Sequence, residues 1–186
     1  ALTEARGGRF EVDVIETTTA EMEALAREGQ FQAVNSPVFA DLIPEARPAG
    51  TPWVGSRLIL YNVAYNTNLV RAADLPRRYE DLADPKWKGR IGIEASDSNW
   101  FMALVSAMGE DKGVKLFRDI ATKNGLSVRK GHTLLTSLVI SGEVPLAWNV
   151  YRHETIAMKK AGAPIAELNL APSIAQMAAA GVMKRA

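Results

Sequence analysis

The 186-residue sequence predicts an α/β fold with a largely parallel sheet, arranged as two bodies joined by an extended strand. Three observations carry this reading. A strand-loop-helix order recurs from Arg90 onward. The run RLILYNVAY at Arg57–Tyr65 is rich in β-formers and long enough to cross between two bodies. Before it, Asn35–Trp53 holds Pro37, Pro44, Pro48 and Pro52, too many for a helix interior or a central strand, so it reads as a connection.

The elements follow in order. Phe10, Val12 and Val14 alternate with Glu11 and Asp13 ahead of Ile15, which predicts a strand with one face more buried. Thr18 and Glu21 stand at capping-box spacing, Met22, Leu25 and Ala26 repeat at helical spacing, and Gly29 stops a helix over about Thr19–Glu28. After the crossing strand, Asn66-Thr67-Asn68 makes a turn. A strand at Arg90–Glu94 leads through the polar loop Ala95–Asn99 into a helix with Phe101, Leu104, Val105 and Met108 on one face, closed by Gly109. A helix at about Lys112–Lys123 stops at Asn124-Gly125. Then come a short strand Ser127–Arg129, a helix Thr133–Ser141, a strand Val144–Trp148 and a helix His153–Ala161 ended by Gly162.

Composition narrows the function classes. With 47% hydrophobic and 23% charged residues the chain is globular rather than fibrous or disordered. No apolar run approaches a membrane span, and Ala1–Phe10 has no apolar signal-peptide core. Cysteine is absent, which removes disulfides, thiolate metal sites and cysteine nucleophiles. A net charge of +1 gives no reason to expect a nucleic-acid partner. That charge is uneven: residues 1–56 carry 4 basic and 9 acidic side chains, residues 57–172 carry 16 and 12, which reads as two differently charged solvated surfaces.

In open α/β sheets ligands bind beyond the carboxyl ends of the strands, where helix N-termini present free N–H donors. That rule selects Thr18 after the first strand, though a helix cap explains it equally. It selects Ser96, Asp97, Asn99 and Trp100 after the strand ending at Glu94, where orienting polar groups meet an aromatic wall. Gly131-His132-Thr133 precedes a helix, so Thr133 joins the set, but the stretch lacks the glycine spacing of a phosphate-binding P-loop. Tyr151 and Arg152 follow the strand ending at Trp148, and the Arg152 fork suits a carboxylate, phosphate or sulfonate. Arg57, opening the crossing strand, completes the candidates. His132 and His153 have no metal-ligand spacing and sit in no acid/base or nucleophile motif, so catalysis is not expected.

With these elements in place, YNTNLV at Tyr65–Val70, LPRRYEDLADPKWKGRIGI at Leu75–Ile93, SGEVPLAW at Ser141–Trp148 and KKAGAPI at Lys159–Ile165 resemble, in order and spacing, the bacterial extracellular solute-binding protein family of ABC importers, which includes ferric-ion and polyamine binders. The resemblance implies a bilobal, type II periplasmic-binding-protein-like α/β fold that holds a solute between its lobes without chemistry. It implies a partial first lobe at 1–56, a crossing strand at 57–66, a nearly complete second lobe at 67–165, a return hinge at 166–172 and re-entry into the first lobe at 173–186. Family members continue beyond positions like Ala1 and Ala186, so truncation at both ends is expected. A first lobe so short is expected to lean on another copy or rearrange. The implied partners are a small-molecule solute, expected to be an organic anion, and a membrane permease. The implied location is periplasmic, with no cofactor. Ferric members carry adjacent tyrosines where this chain reads Tyr151-Arg152-His153, so no metal is expected. In the iron-binding alternative Tyr151 is a ligand, helped by Tyr61 or Tyr65. A further alternative is the ligand-sensing part of a transcription regulator, although no helix-turn-helix is visible.

Overall fold

A computed structural model describes residues 11–184 together with Thr3 and Gly7. Its elements are β1 (Val14–Thr18), α1 (Thr19–Arg27), β2 (Val54–Asn66), β3 (Ile91–Glu94), α2 (Ser98–Met108), α3 (Glu110–Asp119), β4 (Ser127–Arg129), α4 (His132–Ser141), β5 (Leu146–Tyr151), α5 (Arg152–Lys160), β6 (Ile165–Leu168) and β7 (Ala175–Val182). They form two compact units, one of the described residues up to Ile59 and from Gln176 onward, the other Leu60–Ala175. Strand β2 begins in the first unit and ends in the second.

In the first unit β1 lies antiparallel to β7, with Val14 opposite Val182 and Thr18 opposite Ala178. Phe10 lies outside the described residues, Val12 and Val14 are 42% and 56% exposed, and the more buried face of β1 is the one carrying Ile15 and Thr17, with Ile15 packed against the unit's core. As the edge strand, with β7 its one neighbour in the sheet, β1 has little to bury Val14 against. Thr18 precedes α1 in an extended conformation. Its hydroxyl donates to the Glu21 carboxylate at 3.3 Å rather than accepting a backbone N–H, so the two residues of the expected capping box pair through their side chains instead. Met22 and Leu25 of α1 pack with Phe31, Trp53, Ala179 and Met183 into this unit's core. Gly181 admits that packing: a Cβ there would stand 2.8 Å from the Phe31 ring. The proline-dense connection forms two short 3-10 turns, Pro37–Asp41 and Pro44–Ala46, each opened by its proline.

The second unit is built on a mixed sheet. Strand β3 runs parallel to both β4 and β5, with Gly92 opposite Ser127 and Ala147. Strand β2 is antiparallel to β5 on one side, Tyr61 opposite Tyr151, and to β6 on the other, Val63 opposite Leu168. Helical crossovers keep β3, β4, β5 and β6 pointing one way, and β2 alone runs against them, which makes the sheet mixed. One core gathers Leu82, Trp87, Ile91, Leu104, Ile120, Leu146 and Trp148, with Phe117 stacked on Trp148 at 4.3 Å. A second joins Leu135 and Val139 of α4 to Val144, Ala147, Val150 and Ile165. Each such large apolar side chain contributes about 1.5–3 kcal/mol by leaving water. Gly92 lets α4 approach the sheet, because a Cβ there would lie 2.7 Å from Leu135 and from Val144.

Two differences move functional residues. Strand β5 starts two residues later than expected and continues to Tyr151, so Asn149 and Tyr151 are strand rather than loop residues. The return crossing expected at 166–172 is preceded and partly formed by β6, which starts at Ile165, and β7 follows it.

Candidate functional site

The carboxyl ends of β3, β4 and β5 each lead within a few residues into a helix, so the first turns of α2, α4 and α5 gather at one end of the second unit's sheet. The arrangement is tied together by Glu94, the last residue of β3 and only 6% exposed. Its carboxylate accepts the Ser96 N–H at 2.6 Å and the Gly131 N–H at 3.0 Å, clipping the loop after β3 to the loop after β4. Burial alone would push this carboxyl up. The two N–H donors and the nearby His132 outweigh burial and hold it below the ordinary carboxylate range.

Asn149, fully buried in β5, is the second organiser. Its side-chain oxygen accepts the Glu94 N–H at 2.8 Å, and its Nδ2 donates to Asp97 Oδ2 at 2.8 Å. Its backbone carbonyl stands 3.1 Å from His132 Nδ1. A carbonyl only accepts, so Nδ1 carries a proton, and Nε2 is turned to Asp97 Oδ1 at 3.3 Å. Tyr61 from β2 hydrogen-bonds Asp97, and burial, followed by the Asp97 charge, pushes its phenol far above the ordinary tyrosine value. Tyr151 lies against His132 with ring centroids 3.7 Å apart and 5.6 Å from Tyr61.

Two carboxylates, an imidazole and two phenols therefore meet at one place. Glu94, Asp97 and His132 offer ligand atoms within 4.8 Å of one another. Two ligands of one ion at about 2.1 Å can be at most about 4.2 Å apart, so closing on an ion asks for shifts of well under an ångström. The imidazole is already oriented as a metal ligand is, with its second nitrogen on a backbone carbonyl. Among the described residues, His132 is the sole basic side chain within ion-pair distance of Asp97, and no basic side chain is that near Glu94.

Of the residues expected from sequence, Asp97 and Tyr151 belong to this cluster, and Ser96 contributes its backbone N–H. Asn99 is exposed on the first turn of α2. Trp100 is 2% exposed and packs edge-on against Trp148 and Phe117, and it also lines a recess together with Glu94 and Asp97. Thr133 donates to Glu154 at 2.9 Å, and Arg152 is held by Glu167 at 2.8 Å. Thr18 and Arg57 lie in the first unit, Thr18 on Glu21 and Arg57 3.7 Å from Glu16. Glu94, His132 and Asn149 were not among the candidates, and Tyr61 entered only through the iron-binding alternative. The available signal was weak: an acidic residue closing a buried strand, and a histidine directly after a loop glycine.

Polar groups gathered at the strand ends of an α/β unit form a candidate ligand site, and sequence comparison gives the class. The chain matches the profile of the bacterial extracellular solute-binding proteins over residues 13–148 and belongs to that family, which is periplasmic and not enzymatic. It is similar to the Fe(3+)-binding periplasmic protein of Serratia marcescens, 33% identical over 116 residues, covering 61% of this chain and 34% of that one. It is also similar to iron uptake protein A1 of Synechocystis, 28% identical over 148 residues, covering 76% of this chain and 41% of that one. The chain thus spans well under half the length of these relatives. Among solved structures, iron-bound HitA from Pseudomonas aeruginosa has the same mixed α/β fold, with a TM-score of 0.82 at 22% identity, covering 100% of this chain and 63% of that one. AfuA from Actinobacillus pleuropneumoniae with fructose-6-phosphate bound gives 0.80 at 22% identity, covering 98% and 61%.

Proposed function

We propose that this chain is the solute-capturing part of an ABC importer's binding protein, that it hands its solute to a membrane permease, and that the solute is a hard cation, ferric ion, held by Asp97, Glu94, His132, Tyr61 and Tyr151. The observation that carries this reading is the charge of the cluster: two carboxylates with a lone histidine as their basic partner among the described residues. Carboxylate and phenolate oxygens suit a hard trivalent ion. The organic-anion reading loses its clamps, because Arg152 is engaged by Glu167 and Arg57 lies beside Glu16. The N–H donors of Ser96 and Gly131, which would attract an anion, already serve Glu94. The similarity to an Fe(3+)-binding periplasmic protein and to iron uptake protein A1 supports the same ion.

The test is equilibrium binding of ferric nitrilotriacetate to the chain, followed by the visible phenolate-to-iron charge-transfer band. Saturable binding is expected, weakened at least tenfold by Asp97→Asn, with the band altered by Tyr151→Phe. Thermal stabilisation by phosphonates or sulfonates without any response to ferric ion would return the solute to the anionic class.

A further inference from the structure

A second concentration of charge lies elsewhere in the second unit, on the segments that follow β2 and precede β3. A cavity of about 350 Å3 there is lined by Arg71, Asp74, Lys86, Trp87 and Arg90 together with Leu69 and Val70. Asp74 is its one carboxylate and is bound by Arg71 at 2.7 Å. The Arg71 hydrogen bond, helped by the charges of Lys86 and Arg90, holds the Asp74 carboxyl below the ordinary range. Lys86 and Arg90 make no ion pair among the described residues. Both lie over the same Trp87 ring, the ammonium 5.5 Å and the guanidinium 5.6 Å from its centroid. Arg90 is fixed there by donating to the Leu69 carbonyl at 3.2 Å. Trp87 is 1% exposed, and its indole N–H is buried without an acceptor.

Three cations around one carboxylate leave a positive excess in a recess, where like charges held to one ring repel. At about 30 Å3 per water the space has room for roughly ten waters, far more than a halide fills and enough for a compact polyatomic anion. A multiply charged oxyanion bridges several such donors at once.

We propose that this cavity binds a small, multiply charged oxyanion, phosphate or a polycarboxylate, between Arg71, Lys86 and Arg90, beside the Trp87 side chain that lines it. The proposal uses none of the residues of the cation cluster and stands or falls apart from it. Sodium phosphate and sodium citrate are titrated separately into the metal-free chain at ionic strength held constant with sodium chloride. Melting temperature and the indole N–H cross-peaks of a 1H–15N spectrum are followed, with the Trp87 peak assigned from Trp87→Phe. A saturable rise in melting temperature with movement of the Trp87 peak is expected for at least one of the two, and the arm that responds names the anion. Apparent affinity should fall at least fivefold in Lys86→Gln, whose side chain is exposed and whose change spares the fold, and further in Lys86→Gln/Arg90→Gln. Arg77→Gln, an exposed arginine outside the cavity, should leave it unchanged. An equal rise from sodium chloride alone, no movement of the Trp87 peak, or an undiminished response in Lys86→Gln overturns the proposal.

Discussion

Replacing Glu94 by glutamine keeps the side-chain volume but removes the charge and one of its two acceptor oxygens. The wild-type carboxylate takes two backbone N–H groups, from Ser96 at 2.6 Å and from Gly131 at 3.0 Å. The amide can serve one of them and turns an N–H2 toward the other. One charge-assisted hydrogen bond is then lost, at about 1.5–3 kcal/mol, and the remaining one weakens, so the total is roughly 2–4 kcal/mol. The assay is urea unfolding at neutral pH followed by tryptophan fluorescence, since Trp87, Trp100 and Trp148 all lie in the unit that contains Glu94. The deficit should also depend on pH with a definite sign. The carboxyl is held below its ordinary value in the folded chain, so its stabilisation is present above that value and disappears as pH falls through the lowered one. Wild type and variant should therefore converge in acid. A neutral-pH difference below about 0.5 kcal/mol, or one that persists unchanged in acid, would refute the idea that Glu94 is the clip between the two loops.

Three further outcomes test the packing. Burial pushes the Tyr79 phenol up to about 12, and its hydroxyl donates to the Pro172 carbonyl at 3.2 Å. Its share of stability is intact below the ordinary tyrosine value and is lost as pH rises from there through about 12, a fall of roughly 2–3 kcal/mol that Tyr79→Phe should abolish in alkaline unfolding curves. Trp100→Ala should cost about 3–5 kcal/mol in denaturant unfolding, as a core cavity does, which a ring serving only as a ligand wall would not. Gly181→Ala should destabilise the first unit by about 1–3 kcal/mol through overpacking on Phe31 and Met22, read from the fluorescence of Trp53.

What the sequence revealed and what it hid have physical causes. The helices α1, α2 and α4 were legible because their apolar residues repeat at helical spacing, and in α1 and α2 a glycine marks the end. Strand β7, AQMAAAGV, was not, because alanine and glycine carry no strand preference; its conformation comes from pairing with β1, which lies far away in sequence. The boundary of β5 slipped because Asn149 and Tyr151 look like loop residues until Tyr61 is seen opposite Tyr151. Asp97 and Tyr151 were found from the rule about strand ends, and Trp100, the third residue of α2, turns its ring inward to Trp148. His132 escaped because a lone histidine acquires meaning from Asn149 and Asp97, partners that the sheet brings to it.

The members of the cluster, from Tyr61 through Glu94, Asp97 and His132 to Tyr151, arrive on β2, β3, the loop that follows it, the start of α4, and β5. No stretch of unfolded chain holds more than a fragment of that set. On the proposed reading, an incompletely folded chain has nothing with which to seize a metal ion, and affinity would appear only as the strands assemble. Any cation bound afterwards makes unfolding harder by the free energy of its own binding. Cargo would then act as a lock on the finished receptor, and loss of cargo would be the moment at which the second unit is most open to proteases.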